Sequence, residues 1–178
     1  MPHIHTEPGQ HDHTASGFIV RLDHDEPRIL LHVHKLLRKY LQFGGHIELD
    51  EDPWQAVKHE VQEESGYSMD QLKILQPKFY PKRQSKDVKY HPFPISHNTH
   101  AFNSEHWHTD VAYAFTTRQE AKHSVSEDES GIIKAFSKSD IMSMGQDEIF
   151  DNLKETCLFI FDECLPNWEE LDPAEFDY

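Results

Sequence analysis

The chain has 178 residues, enough for one domain with terminal segments and a sizeable hydrophobic core. Its 17 Lys and Arg against 32 Asp and Glu give a net charge of −15, which argues against general binding to DNA or to an anionic membrane. No stretch approaches the roughly 20 apolar residues of a membrane span, and the N-terminus lacks the pattern of a secretion signal. Cys157 and Cys164 suggest no disulfide framework, so we expect a reducing, cytoplasmic location.

The first third of the chain contains a polar segment and two apolar segments. Residues 1–14 are rich in His and Pro without any periodicity, and they are predicted to form a flexible arm. Two strands are predicted over residues 17–22 and 28–34, because short apolar runs flank a polar turn. This pattern is typical of a β-hairpin.

A helix is predicted over residues 53–65. Asp52 is a suitable N-cap residue, Pro53 fits the first turn, and Gly66 is a suitable C-terminal stop. At about 100° per residue, one stripe of this helix is apolar and is predicted to face the core. That stripe consists of Trp54, Val57 and Val61.

The second half of the chain alternates strand-like and polar segments. The predicted elements are an interrupted strand at 72–83, a polar loop or lid at 84–105, strands at 106–117 and 131–136, and a helix at 147–165. An acidic tail, residues 166–178, follows. This order predicts one layered α/β domain over residues 15–165, with a mixed sheet and helices inserted early and late.

Three carboxylates lie together on the first predicted helix. Glu60, Glu63 and Glu64 fall on the stripe beside the apolar one, where like charges repel each other unless a cation is present. A solvated acidic face is the alternative interpretation, but such a face would include Lys or Arg. Hard cations such as Mg²⁺ and Mn²⁺ prefer carboxylate oxygens, so the cluster favours a metal site.

The segment before the helix adds two features to this cluster. Gly44 and Gly45 allow the backbone to approach a ligand or a metal closely. Glu51 lies nine residues before Glu60, on the connecting loop, from which it could fold back towards the cluster.

These residues follow a long pattern with fixed spacing. Gly45, then Glu51, then the run HEVQEESGY at residues 59–67 resembles the Nudix box, G-x5-E-x7-R-E-U-x-E-E-x-G-U, where U is apolar. The one departure is His59, which stands where the family has arginine. The flanking strand order is also similar to the Nudix fold, an α/β/α sandwich with a mixed β-sheet.

The resemblance implies metal-dependent hydrolysis of a diphosphate in a nucleoside diphosphate linked to another moiety. It assigns Glu60, Glu63 and Glu64 as ligands of Mg²⁺ or Mn²⁺, with the Gly44 carbonyl as a further ligand. It also assigns catalytic roles to Glu51, Glu60 and Glu63, since a box carboxylate positions the attacking water or accepts its proton.

His59 is the box position where the family pattern is broken. The arginine of the family holds the glutamates in place, and His59 lies one turn before Glu63, where pairing would raise its pKa. We expect His59 to keep the structural role, beside Gly45 and Gly66, with weaker orientation or a shifted pH optimum.

The general base is expected outside the box, as is common in the family. Glu129 is the candidate, together with Glu127 in the same acidic turn and Glu105. The alternative is that this turn is simply a solvated loop.

Three polar side chains alternate along the strand predicted at residues 106–117. His106, His108 and Asp110 would share one face and could form a second polar cluster near the site. An exposed strand face is an equally good interpretation of the pattern.

Two basic segments are candidates for contacting substrate phosphates. Arg38 and Lys39 precede the glycine pair, and Lys82 and Arg83 lie in the middle of the chain. Ordinary surface cations are the alternative for each of them.

Other functions are also compatible with parts of the sequence. The 15 histidines raise the alternative of metal binding or storage, through the arm residues His3, His5, His11 and His13, but these lack fixed ligand spacing. A Nudix-fold module that binds or senses nucleotides without hydrolysis is a further alternative. The diphosphate substrate is not determined by the box, and a homodimer is common in such folds although no feature requires one.

Overall fold

The structure is a computed structural model that describes residues 7–79, 87–103, 106–125 and 131–177. Within these ranges, nine strands form one mixed sheet. The strands are β1 (His11–Arg21), β2 (Arg28–Val33), β3 (Tyr40–Leu41), β4 (Phe43–His46), β5 (Lys73–Pro77), β6 (Ser96–Ala101), β7 (Trp107–Thr117), β8 (Ile133–Phe136) and β9 (Trp168–Leu171).

The centre of the sheet is the parallel pair β1 and β7, which stay in register from His11 beside Trp107 to Arg21 beside Thr117. The sheet order is β3-β2-β1-β7-β5-β9, while β4 also pairs with β1, β6 with β7 and β8 with β2. Every pairing other than β1 with β7 is antiparallel. The prediction of a mixed sheet is therefore confirmed.

Helices cover both faces of this sheet. The first helix, α1 (Pro53–Ser65), packs on one face, and α2 (Lys138–Ser143) and α3 (Asp151–Phe159) pack on the other. After α3, a π-helical turn (Ile160–Cys164) leads into a short helix, α4 (Leu165–Asn167). The arrangement is the predicted α/β/α sandwich. In the described part of the chain, no helix is long and apolar enough to cross a membrane.

The boundaries of α1 are the predicted ones, and local hydrogen bonds explain them. A carboxylate oxygen of Asp52 accepts a hydrogen bond from the Gln55 backbone N–H at 2.9 Å, and the Gln55 side chain accepts one from the Asp52 N–H at 2.9 Å. At the other end, Gly66 has a φ of +74° and donates its N–H to the Gln62 carbonyl at 3.1 Å. The predicted core stripe, Trp54, Val57 and Val61, is buried.

A glycine in β1 sets how closely α1 approaches the sheet. A Cβ at Gly17 would overlap the Cγ2 methyl of Val61. Because Gly17 has no side chain, α1 packs directly on β1, and its carboxylates are held close to the strands beside it.

Gly66→Ala is expected to lower the free energy of unfolding by about 2 kcal/mol. The left-handed φ disfavours any side chain, and a Cβ at Gly66 would also overlap the carbonyl of His123, whose N–H donates to the Gly66 carbonyl at 3.1 Å. Urea unfolding measures the change. Gly9→Ala is the matched control, since Gly9 has a φ of +81° but its Cβ position has no atom of the described chain within 4 Å. Equal losses in the two variants would show that the overlap with His123 costs nothing.

Two strands lie where the sequence predicted irregular structure. The first strand starts at His11 rather than at residue 17, so His11–Thr14 belong to the sheet and not to the predicted arm of residues 1–14. The reason is pairing along the whole of β7, which local sequence patterns do not reveal. Likewise β6 forms inside the predicted loop at 84–105, through antiparallel pairing with β7.

The acidic segment after residue 166 is also ordered by the rest of the molecule. Its strand β9 pairs with β5, and the ring of Phe176 lies 6.1 Å from that of Trp54 on α1. The last predicted helix begins at Asp151 instead of 147, because the carbonyl of Glu148 accepts a hydrogen bond from the Tyr40 N–H at 2.8 Å.

The buried histidine of β2 makes folding stability depend on pH. Burial, together with the neighbouring His34, lowers the pKa of His32 from 6.5 to about 4, and its side chain packs against Phe43 with ring centroids 5.6 Å apart. Between pH 6.5 and about pH 4, His32 is protonated in the unfolded chain but stays neutral in the folded chain. The contribution of His32 to the free energy of unfolding is therefore fully present above pH 6.5, and it falls by about 3 kcal/mol as the pH drops towards 4.

His32→Gln is accordingly expected to flatten the loss of stability between pH 6.5 and pH 4. Urea unfolding at several pH values measures the slope for the wild type and the variant. His24→Gln, in the exposed turn between β1 and β2, is the matched control and should keep the wild-type slope. An unchanged slope in His32→Gln would contradict this explanation.

Candidate active site

The glycine pair of β4 lies directly against the carboxylates of α1. Antiparallel pairing sets Gly45 beside Ala15 and Gly44 beside Ser16. The Gly44 N–H donates a hydrogen bond to Oε2 of Glu64 at 2.7 Å. A Cβ at Gly45 would lie 2.7 Å from the carboxyl carbon of Glu60, so no larger residue fits without moving that carboxylate.

The three clustered glutamates differ in their exposure. Glu60 and Glu64 are each 6% exposed, whereas the side chain of Glu63 is half exposed. Burying two carboxylates one helical turn apart costs free energy, which a bound cation reduces. Three carboxylates beside a closely approaching backbone are the oxygen-rich donor set that Mg²⁺ and Mn²⁺ prefer. The residues present therefore fit a hard divalent cation.

His59 bridges two of the predicted site carboxylates. Its Nε2 lies 3.0 Å from Oε1 of Glu63, and its Nδ1 lies 3.4 Å from Oε1 of Glu51. Partial burial opposes protonation, but the hydrogen bond to Glu63 and the charges of Glu63, Glu51 and Glu60 raise the pKa of His59 above 6.5. The structure thus brings the loop carboxylate Glu51 to the helix, with the imidazole between the two segments.

Removing the imidazole of His59 is expected to lower activity, whereas an arginine side chain at this position is expected to retain it. His59→Ala should reduce kcat/KM by about 10-fold to 100-fold, as is usual when a group that orients metal ligands is lost. His59→Arg should remain within about threefold of the wild type, since a guanidinium donates to both carboxylates. Steady-state kinetics at one fixed pH measure both effects, and wild-type activity in His59→Ala would contradict the orienting role.

Of the predicted phosphate-binding residues, Arg38 and Lys39 lie within the described ranges, and their recorded contacts are not with the glutamates of α1. Arg38 is exposed, with a φ of +58°, and donates its backbone N–H to the His34 carbonyl at 2.8 Å. The Lys39 ammonium hydrogen-bonds the Gln146 carbonyl and lies 4.9 Å from the ring centroid of Phe150, in the segment before α3. Their role in substrate binding stays a prediction.

Some predicted residues lie outside the described ranges. These are Lys82, Arg83 and the general-base candidates Glu105, Glu127 and Glu129. Their assignments stay predictions, as does the role of the Gly44 carbonyl as a metal ligand.

His106, just before β7, shares one face with His108 and Asp110 of β7, as their alternation predicted. His106 and Asp110 are buried and His108 is half-buried. Oδ1 of Asp110 accepts hydrogen bonds from the hydroxyls of Thr14 at 2.8 Å and Ser16 at 2.9 Å. Burial raises the pKa of Asp110, and these two hydrogen bonds oppose the shift. The interpretation of a bare solvent-exposed face is therefore wrong.

Two members of this polar cluster were not singled out from the sequence. Asp12 is 1% exposed, and its Oδ2 lies 3.1 Å from Nε2 of His106 and 3.5 Å from Nε2 of His46. Asp12 lies in the segment interpreted as an arm. The signal that could have found it is the period-two run of Asp12, Thr14 and Ser16, which continues the alternation of β1 towards the N-terminus.

Comparison with known proteins identifies the family. The model of the NUDIX domain matches residues 11–153. The chain belongs to the Nudix family. No curated protein matches the sequence of this Nudix chain. Its resemblance to the Nudix box and to the Nudix fold is thereby confirmed.

Solved structures of Nudix proteins share this fold. A Nudix hydrolase from Clostridium perfringens is 29% identical, with a TM-score of 0.66 over 85% of this chain and 96% of that chain. The Ap4A hydrolase of C. elegans is 16% identical, with a TM-score of 0.58 over 84% of this chain and 95% of that one. The Nudix domain of Shewanella oneidensis NrtR, in complex with ADP-ribose, is 14% identical, with a TM-score of 0.55 over 85% and 89%.

Family membership fixes the general chemistry. The protein is a Nudix-type hydrolase that acts on acid anhydrides in phosphorus-containing compounds, and this chemistry depends on a divalent metal. Among the described residues, the carboxylates of α1 beside the glycine pair of β4 form an oxygen-rich donor set that suits such a metal.

Proposed function

We propose that the protein hydrolyses the diphosphate linkage of a nucleoside diphosphate joined to another moiety, with Mg²⁺ or Mn²⁺ as cofactor. This proposal rests on the close contact between the glycine pair of β4 and the carboxylates of α1. The Gly44 N–H binds Glu64, and Gly45 leaves room only for the carboxylate of Glu60. This arrangement gives a reason for both glycines, which an ordinary acidic helix face does not require.

The proposed roles follow from the contacts of each side chain. Glu60, Glu63 and Glu64 hold the cation, with the Gly44 carbonyl as a further ligand. When bound, the cation neutralises the diphosphate and acidifies a water for attack on phosphorus. Glu63 is half exposed and is oriented by His59, so it reaches solvent at the site.

Proton removal from the attacking water is assigned to a carboxylate at this site. Glu63 and Glu51 are the candidates inside the box, because His59 holds both in one group of contacts. Glu129 is the candidate outside the box. Comparing the pH–rate profiles of Gln variants at these three positions assigns the role, since loss of the base removes the acidic limb of the profile.

The substrate class is a proposal that a compound panel resolves. Ap4A and ADP-ribose head the panel because relatives of the same fold are named for acting on the first or for binding the second. Nucleoside triphosphates, nucleotide sugars and oxidised nucleotides complete it. The absence of a DNA partner stays a prediction from the net charge of −15. The cytoplasmic location and a homodimer stay predictions from the sequence.

The test measures phosphate release across this panel, with pyrophosphatase or phosphatase coupling, in Mg²⁺ and in Mn²⁺. We expect metal-dependent turnover of at least one nucleoside diphosphate compound, and the best substrate defines the class. No turnover with any compound, while nucleotides still bind by calorimetry, would favour the module that binds without hydrolysis. The presence of His59 where the Nudix box has arginine would then be the first difference from active relatives to examine.

A further inference from the structure

A second group of metal-ligating side chains lies away from the helix carboxylates. Asp12, His46 and His108 each offer one ligand atom, and these three atoms lie within 4.8 Å of one another. We propose that these residues bind a divalent transition metal of the zinc type, at a site separate from the Mg²⁺ or Mn²⁺ site. This proposal does not depend on the proposed hydrolysis.

The three residues are fixed by the pairing of three strands. Asp12 on β1 pairs directly with His108 on β7, and His46 on β4 pairs with Thr14, two residues further along β1. The rings of His46 and His108 lie 5.1 Å apart at an interplanar angle of 85°. Ligands on adjacent strands are positioned more rigidly than ligands on loops, so only small side-chain movements would bring them to one ion.

The surroundings of the three residues resemble the support that metal ligands need. His106 lies within hydrogen-bonding distance of Asp12, with 3.1 Å between Nε2 and Oδ2, and so orients the carboxylate. Phe102 stacks on the ring of His108, with centroids 4.8 Å apart and an interplanar angle of 23°. Asp12 is almost fully buried, so an ion there would be attracted strongly by its charge.

This cluster differs from the helix site in position and in chemistry. Side chains alternate along a strand, and Gly45 faces Glu60, so the neighbouring His46 points to the other face of the sheet. Two imidazoles and one carboxylate suit Zn²⁺, Co²⁺ or Ni²⁺, whereas Mg²⁺ prefers oxygen ligands alone. Three protein ligands also leave a coordination position for an exchangeable ligand.

The test is a Zn²⁺ titration against a competing chelator dye, in excess Mg²⁺ so that the helix carboxylates are occupied. Variants His46→Gln and His108→Gln remove ligands, and His106→Gln removes the group that orients Asp12. His24→Gln is the matched control for losing one histidine, and Glu64→Gln is the control for the helix site. The N-terminal histidines are present in every protein compared, so their contribution cancels.

We expect one tight Zn²⁺ site in the wild type, in His24→Gln and in Glu64→Gln. Affinity should fall about 100-fold or more in His46→Gln and His108→Gln, and by about 10-fold to 100-fold in His106→Gln. The melting temperature should rise with Zn²⁺ in the wild type and not in the ligand variants. The melting transition recorded without Zn²⁺ shows that each variant is folded. Unchanged Zn²⁺ affinity in both ligand variants would overturn the proposal. So would a loss of affinity in Glu64→Gln equal to theirs, because the ion would then occupy the helix carboxylates.

Discussion

Glu64→Gln is expected to lower kcat/KM for metal-dependent diphosphate hydrolysis by about 1,000-fold, with little change in folding stability. The carboxamide keeps an oxygen that can accept the Gly44 N–H, now bonded to Oε2 at 2.7 Å, so the β4–α1 contact survives. The negative charge is lost, however, and a neutral oxygen is a weaker ligand for a hard cation. A thousandfold change corresponds to about 4 kcal/mol, the range expected when a charge that holds a catalytic metal is removed.

The comparison needs a variant that loses the same charge elsewhere. Glu155→Gln is suitable, because Glu155 is exposed on α3, on the other side of the sheet from α1. Initial rates in saturating Mg²⁺ and Mn²⁺ are measured for the wild type and both variants. Comparable activity in Glu64→Gln and Glu155→Gln would remove Glu64 from the metal site.

Gly45→Ala is expected to lower kcat/KM by about 100-fold, through displacement of Glu60 rather than through unfolding. The added methyl would lie 2.7 Å from the Glu60 carboxyl carbon, and both sides of this contact are constrained. Gly45 is held by strand pairing beside Ala15, and Glu60 is only 6% exposed. The carboxylate must therefore move, and a displacement of about 1 Å in a reacting group costs roughly 100-fold in rate.

Gly131→Ala is the matched control for this substitution, because no atom of the described residues lies within 4 Å of the Cβ position at Gly131. It should keep wild-type kinetics. Urea unfolding of Gly45→Ala separates a local displacement from a general loss of structure. Normal activity in Gly45→Ala would mean that the closeness of Gly45 to Glu60 has no functional role.

The helix that carries the glutamates could be predicted from the sequence because its signals are local. Asp52, Gln55 and Pro53 determine where α1 begins, and Gly66 determines where it ends, all within one turn of the helix itself. The contact between His59 and Glu63 follows from the same local spacing of four residues. The glutamates of the proposed metal site could therefore be identified from one short segment of the sequence.

The features that sequence reasoning missed depend on partners that are distant along the chain. The polar residues His11–Thr14 belong to the sheet through pairing with β7, almost 100 residues away, and Thr14 also pairs with β4. The acidic β9 is likewise ordered by its pairing with β5. No local periodicity encodes these pairings, since their stability comes from the ladder hydrogen bonds and from the neighbouring strands.

The same reason explains why the sequence alone does not join Asp12 and His46 to the polar residues of β7. His106, His108 and Asp110 were placed on one strand face by alternation, which is a local pattern. Their partners Asp12 and His46 come from two other strands, and only the register of β1 with β7 and with β4 brings them together.

Binding of Mn²⁺ measured alongside turnover tests whether the α1 carboxylates form the catalytic metal site. Free Mn²⁺ is quantified by electron paramagnetic resonance in the wild type, Glu60→Gln, Glu63→Gln and Glu155→Gln, and hydrolysis of the best substrate is measured in the same samples. We expect Mn²⁺ affinity and kcat/KM to fall together in Glu60→Gln and Glu63→Gln and to stay unchanged in Glu155→Gln. Full Mn²⁺ binding with full turnover in Glu60→Gln and Glu63→Gln would contradict the assignment of the α1 carboxylates as the catalytic metal site.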